Sequence, residues 1–141
     1  MILLDTHVIF EPLKLAADPG VLAWIDAQSI DTLYLSAISL AELRFGIAAL
    51  PAGKRKDTLH HGLEQRILPL FAERILPFDA AASQTYADIL SAARAQGKAI
   101  SNADGYIAAT AKRHGFMVAT RDASPFEAAG LTVINPWTVQ H

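Results

Sequence analysis

Short apolar runs alternate with longer stretches in which apolar residues recur at helical spacing. Ile2-Leu3-Leu4 reads as a short buried strand, and Leu33-Tyr34-Leu35 as a second. Between them, the segment after Pro19-Gly20, apolar at Val21, Leu22, Trp24 and Ile25, suits a short helix. From Leu40 the apolar positions fall at Leu43, Ile47 and Leu50, which predicts one face of a helix. Pro51-Ala52-Gly53 should end it. Leu59, Leu63 and Ile67 mark a further helix, which Pro69 should kink or end because proline has no amide N–H.

The second half repeats the alternation. Ile75-Leu76-Pro77-Phe78 is a short strand whose proline favours an edge or an end. Asp79 is a natural N-cap for a helix running through Tyr86, Ile89 and Leu90 towards Gly97. Another helix should cover about Ala103 to His114 and stop at Gly115. Phe116-Met117-Val118-Ala119 and Thr132-Val133-Ile134 complete the strands. Uninterrupted apolar strands separated by helices point to an α/β fold, a parallel sheet covered on both faces. With no internal repeat or linker-like stretch, residues 1–141 are expected to form one domain.

Composition narrows the function. The 12 basic and 14 acidic residues give a net charge of −2, too little basic field to hold nucleic acid by bulk electrostatics. Any phosphate partner must therefore be bound locally or through metal. Cysteine is absent, which excludes disulfides, thiolate zinc sites and cysteine nucleophiles and fits a reducing compartment. No run approaches the ~18 apolar residues of a membrane span, and Met1-Ile2-Leu3-Leu4-Asp5, with no basic leader, is not expected to act as a signal peptide. A cytoplasmic protein is expected. The 52% hydrophobic content suggests apolar surface reserved for a partner.

In an open parallel sheet, functional groups gather where strands end and the following helices begin. Asp5 follows the first strand, Asp122 follows the strand ending at Ala119-Thr120, and Glu42 should lie in the first turn after the second strand. Asp104 starts a helix that comes after another helix, so only the fold can bring it to the other three. Each acid also has a structural explanation. Ser39-Leu40-Ala41-Glu42 has the spacing of a capping box, and Ser101-Asn102-Ala103-Asp104 has the same. Asp5 and Asp122 would serve equally as loop acids. Asp5 is the hardest to dismiss, because an acid ending a buried strand is desolvated without an obvious partner. Acids on one edge repel unless a cation sits among them, and hard oxygen ligands suit Mg²⁺ or Mn²⁺ better than zinc.

Four segments carry a family resemblance: Leu3-Leu4-Asp5-Thr6, Ser36 through Leu43, Ala103 through Ala111, and Val118 through Asp122. Their order and content resemble the PIN-domain toxins, and more narrowly the VapC and FitB-like branch of type II toxin–antitoxin systems. The resemblance implies three layers, with a central five-stranded parallel sheet flanked by helices. It implies an endoribonuclease dependent on Mg²⁺, with Mn²⁺ as a substitute, acting through Asp5, Glu42, Asp104 and Asp122. It further implies a homodimer, inhibition by a cognate antitoxin, and contact with DNA only through that antitoxin. Where the family usually has asparagine after Asp5-Thr6, and serine three residues later, this chain has His7 and Phe10. His7 would orient the acids, ligate metal or fill space; hard Mg²⁺ prefers oxygen, which favours the first and last.

Phosphodiester hydrolysis needs an activated water, charge relief on the phosphate and help for the leaving oxygen, all of which divalent ions supply. Asp5 and Asp122 would hold metal directly, Asp104 directly or through water, and Glu42 would ligate it or orient the attacking water. Thr6 and Thr120 bring hydroxyls beside these acids, and Arg121 would pair with an acid, steady a phosphate or stay on the surface. Lys54-Arg55-Lys56, followed by His60-His61, is the dense basic stretch, either a phosphate contact or a solvated helix start. His114 precedes a helix-ending glycine, and His141 is terminal. A dehalogenase-like phosphatase would want an acid at position 7, where His7 stands, and a receiver domain would want paired acids and a late lysine. A catalytically weak interaction module, acting in complex with a DNA-binding antitoxin, is the remaining alternative.

Overall fold

Five strands form one sheet: β1 (Ile2–Leu4), β2 (Leu33–Ser36), β3 (Ile75–Leu76), β4 (Met117–Ala119) and β5 (Val133–Ile134). Every pairing is parallel, in the order β3-β2-β1-β4-β5, so the N-terminal strand lies at the centre. The structure, a computed structural model, describes residues 1–139; His141, noted in the sequence, lies outside them. Strand side chains alternate between faces, and the core divides accordingly. Ile2, Leu4, Leu33 and Leu35 pack on one side with Trp24, Leu43, Ile47 and Leu63. Leu3 and Val118 pack on the other with Ile89, Ile107 and Phe126. Strand β3 is at the edge, where Pro77 takes no amide from a ladder.

The expected helices are present as α2 (Pro19–Ala27), α3 (Ala37–Ala48), α4 (Lys54–His61), α5 (Ala80–Ala95) and α6 (Asn102–His114), with Asp79 capping α5 through a 2.9 Å bond from Ala82 N. Gly115 ends α6 with φ 70°, the left-handed conformation that glycine adopts without penalty. Beyond α4 the coil continues as a π turn over Gly62–Ile67 and a 3₁₀ turn over Leu68–Phe71, so the break falls at Leu68, with Pro69 in the first positions of the new turn. Two helices escape the periodicity, α1 (Thr6–Phe10) and α7 (Ala123–Ala128). At five and six residues neither is long enough to show a helical repeat.

Two other features set up the candidate site. Helix α3 begins at Ala37, capped by Ser36, whose Oγ accepts from Ser39 N at 3.0 Å. The capping box expected from Ser39 is therefore not formed, and Glu42 sits in the second turn, not the first. Helix α6 packs against α5 through Gly105: a Cβ there would stand 2.8 Å from Leu90 Cδ1 and 2.9 Å from Tyr86 Cε2. That close approach fixes the start of α6, and with it Asp104. Among the described residues, no helix is long and apolar enough to cross a membrane.

Candidate active site

Strand β1 ends at Leu4, and the amide of Asp5 continues its pairing with β4 by donating to Ala119 O at 2.9 Å. The carboxylate then turns inward, only 5% of Asp5 remaining exposed. Oδ1 accepts from Thr6 N at 2.8 Å and so caps α1, while Oδ2 accepts from Thr120 Oγ1 at 2.7 Å. Burial pushes the Asp5 carboxyl above its ordinary value, and the charge of Asp104 pushes it further. The bonds from Thr120 and Thr6, and the charge of His7, pull it back without reversing the shift. Among the described residues no cationic side chain forms an ion pair with Asp5.

Two of the remaining acids are tied to it through threonines, and Asp104 is held by the cap of its own helix. Thr6 Oγ1 donates to Glu42 Oε1 at 2.9 Å, tying α1 to the exposed glutamate on α3. Thr120 Oγ1 accepts from Asp122 N at 3.1 Å. Asp122 occupies the N-cap position of α7, where an aspartate ordinarily accepts from the first-turn amides, yet its carboxylate makes no such bond. It stands exposed at the same sheet edge. Asp104, half-buried, accepts from Ser101 Oγ at 3.0 Å, and that oxygen accepts from Asp104 N at 3.3 Å. Thr6, Thr120 and Ser101 thus act as positioning groups for three of the four acids. The sequence marked both threonines only as neighbours of acids, since their partners lie far away along the chain.

All four acids reach the carboxyl edge of the sheet, but they are not equally gathered. The charge of Asp104 acts on Asp5. Among the described residues, no three carboxylate or histidine side chains converge to the spacing of a single ion's ligands. The donor chemistry nevertheless suits a hard divalent cation: oxygen donors throughout, one of them a buried carboxylate without a cation partner and another an N-cap acid that caps nothing. His7 is exposed and makes no hydrogen bond with a described residue, so it does not orient the acids. Arg121 lies over the Trp137 ring at 5.0 Å rather than on an acid. Lys56 donates to Ala48 O at 3.0 Å, which gives one member of the basic stretch a structural role at the end of α3.

A central buried aspartate at the carboxyl edge of a five-stranded parallel sheet, with three further acids on the same edge, defines an acidic-site α/β protein. Residues 2–131 match the sequence profile of the PIN domain. The chain is 64% identical over 137 residues to "VapC ribonuclease Y4jK" of Sinorhizobium fredii, covering 97% of this chain and 98% of that protein. It is 57% identical over 137 residues to "Toxin FitB" of Neisseria gonorrhoeae, covering 97% and 99%. The crystal structure of FitAcB from Neisseria gonorrhoeae superposes with a TM-score of 0.95 at 56% identity, covering 99% of this chain and 100% of that one. The crystal structure of VapBC2 from Rickettsia felis bound to a DNA fragment from its promoter shares the fold, with a TM-score of 0.80 at 22% identity and coverage of 96% and 98%. The chain belongs to the PIN-domain family, on the branch that holds VapC and FitB.

Proposed function

We propose that this chain is the toxin of a type II toxin–antitoxin pair, a cytoplasmic endoribonuclease that uses Mg²⁺, or Mn²⁺ in its place, to hydrolyse RNA. Residues 1–141 would constitute one PIN-like domain, paired as a homodimer. The observation that carries this reading is Asp5: buried, opposed by Asp104, and lacking a cation partner among the described residues. Such a carboxylate is costly to the fold and is explained by a bound cation. The relatives named as VapC ribonuclease and toxin FitB support it.

Asp5, Asp104 and Asp122 would hold the ion, with Glu42 reaching it through water. When bound, the ion acidifies water and offsets charge developing on the phosphate. The chain's own groups do the positioning. Thr120 and Thr6 N fix both oxygens of Asp5, so the carboxylate needs no rearrangement on binding. Thr6 holds one oxygen of Glu42, leaving the other to orient the attacking water and accept its proton. The test is RNA cleavage with Mg²⁺ or Mn²⁺: wild type should cut, and Asp5→Asn and Asp104→Asn should not. Equal toxicity of both variants on expression would overturn the nuclease reading.

The cognate antitoxin would bind apolar surface and place an arginine at the acids, substituting for the charge of the ion. Contact with DNA would run through that partner, in keeping with a relative described as FitAB bound to an IR36 DNA fragment. A co-purified complex should be inactive; one as active as free toxin would refute this inhibition.

A further inference from the structure

Beside the acids lies a cavity of about 250 Å³ that the cleavage chemistry does not use. Thr6 and Glu42 form its border with the acidic site, and Phe10, Leu50 and Leu59 give it apolar walls. Gly46 forms part of its lining, on α3 one turn beyond Glu42. An interior helical glycine is less stable there than alanine, so it normally marks a close neighbour. At Gly46 there is none: a Cβ would meet nothing within 4 Å. The fold itself therefore does not require this glycine, and its absence of side chain keeps the cavity open. Arg55 also lines the cavity and makes no hydrogen bond or ion pair among the described residues. Arg55 and its neighbours Lys54 and Lys56 stand in the first turn of α4, where positive charge works against the helix dipole.

We infer that this cavity receives the base of the RNA nucleotide next to the cleaved bond, with Arg55 on its flanking phosphate or stacked on its ring. The inference rests on the ribonuclease reading and adds the subsite that gives it selectivity. The cavity shares Thr6 and Glu42 with the acidic site, which puts it within reach of the nucleotide adjoining a phosphate at Asp5. Its volume suits one flat ring better than a helix about 10 Å across. Apolar walls reward burial of a base face, and an unpaired guanidinium complements phosphate or stacks on the base. A segment of the antitoxin is the competing occupant.

The experiment measures kcat and KM on short RNA oligonucleotides varied at the positions flanking the cut, for wild type, Gly46→Ala, Gly46→Leu and Arg55→Ala. Binding of the same labelled oligonucleotides is measured with Ca²⁺ present, and retention of the antitoxin is measured in parallel. Gly46→Leu should raise KM by about tenfold and flatten the base preference, with a smaller change in kcat. Gly46→Ala should melt about 4 °C higher than wild type while showing the same defect more weakly, which separates subsite loss from misfolding. Arg55→Ala should raise KM without changing the melting temperature. Wild-type KM and base preference in both Gly46 variants would overturn the inference, as would loss of antitoxin with RNA cleavage unchanged. Wild type that binds RNA in a Gly46-dependent way yet never cuts it would leave the subsite and remove the ribonuclease. Wild type that neither binds nor cuts would remove both.

Discussion

The Thr120 hydroxyl donates a 2.7 Å hydrogen bond to Asp5 Oδ2 across 115 positions of sequence, and Thr120 Oγ1 itself accepts from Asp122 N at 3.1 Å. One buried side chain thus joins the ends of β1 and β4 and orders the first residues leading into α7. The parallel register makes this possible, since Leu4 pairs with Ala119 and the next residues, Asp5 and Thr120, follow side by side at the carboxyl edge. A hydrogen bond to a charged group contributes about 1.5–3 kcal/mol, which partly offsets the desolvation of Asp5.

Removing that hydroxyl should be felt in both stability and catalysis. Thr120→Val keeps the shape but leaves Asp5 Oδ2 and Asp122 N without their shared partner, and should cost about 1–3 kcal/mol in urea unfolding. Thr120→Ser restores the donor and should recover most of both properties. If Thr120→Val is as stable and as active as wild type, the bond does not position Asp5.

Neutralising the central acids should separate stability from function. Asp5 is raised above 3.8 by burial first and by Asp104 after its hydrogen bonds are counted, so the folded state holds its proton more tightly than the unfolded chain. Metal-free stability should therefore fall as pH rises from about 3.8 through the raised value, and Asp5→Asn should flatten that slope. An asparagine amide facing Thr120 is tolerable because the threonine hydroxyl has Asp122 O as a second acceptor at 3.4 Å. Asp5→Asn and Asp104→Asn should both melt at or above wild type in chelator and gain less from Mg²⁺. Thermal melting with chelator and with excess metal checks this. Clear destabilisation of Asp104→Asn in chelator, with equal gains from metal, would make Asp104 a structural cap.

Glu42 should behave as a functional acid with little structural cost. It is exposed, bonds only to Thr6 Oγ1 in the described structure, and plays no part in capping α3. Glu42→Gln should therefore change unfolding free energy by no more than about 0.5 kcal/mol while reducing RNA cleavage. A large loss of stability would show that the glutamate serves the fold.

A different acid should govern stability at low pH. Glu11 is buried, accepts from Asp18 N at 3.0 Å and pairs with Lys14 at 2.9 Å. Desolvation pushes its carboxyl up, but the Lys14 contact and the Asp18 amide outweigh that and hold it below 4.5. Its contribution is thus present above pH 4.5 and lost as pH falls through the lowered value. Glu11→Gln should lower stability at neutral pH and remove part of the acid-limb slope in pH-dependent unfolding. An unchanged acid limb would show that the contacts of the Glu11 carboxylate contribute nothing.

The sequence alone determined the strands and the longer helices, because buried strands read as apolar runs and packed helices repeat every three or four residues. It also marked Asp5, Glu42 and Asp122, because each follows a strand and strand ends are where a parallel sheet gathers polar groups. What it left open depends on contacts between distant residues. Two serines three apart both suit an N-cap, and only the end of β2 selected Ser36 over Ser39, which moved Glu42 a turn along α3 and gave its carboxylate to Thr6. Helices α1 and α7 are too short to carry a period and form because Asp5 caps one and the chain leaving Thr120 enters the other. Asp104 approaches Asp5 because Gly105 lets α6 press against Leu90 and Tyr86 of α5, a fit of volumes that no local spacing encodes. Local pattern chose the elements and most of the acids; the packing of one element on another decided which of them meet, since that depends on shape across the whole fold.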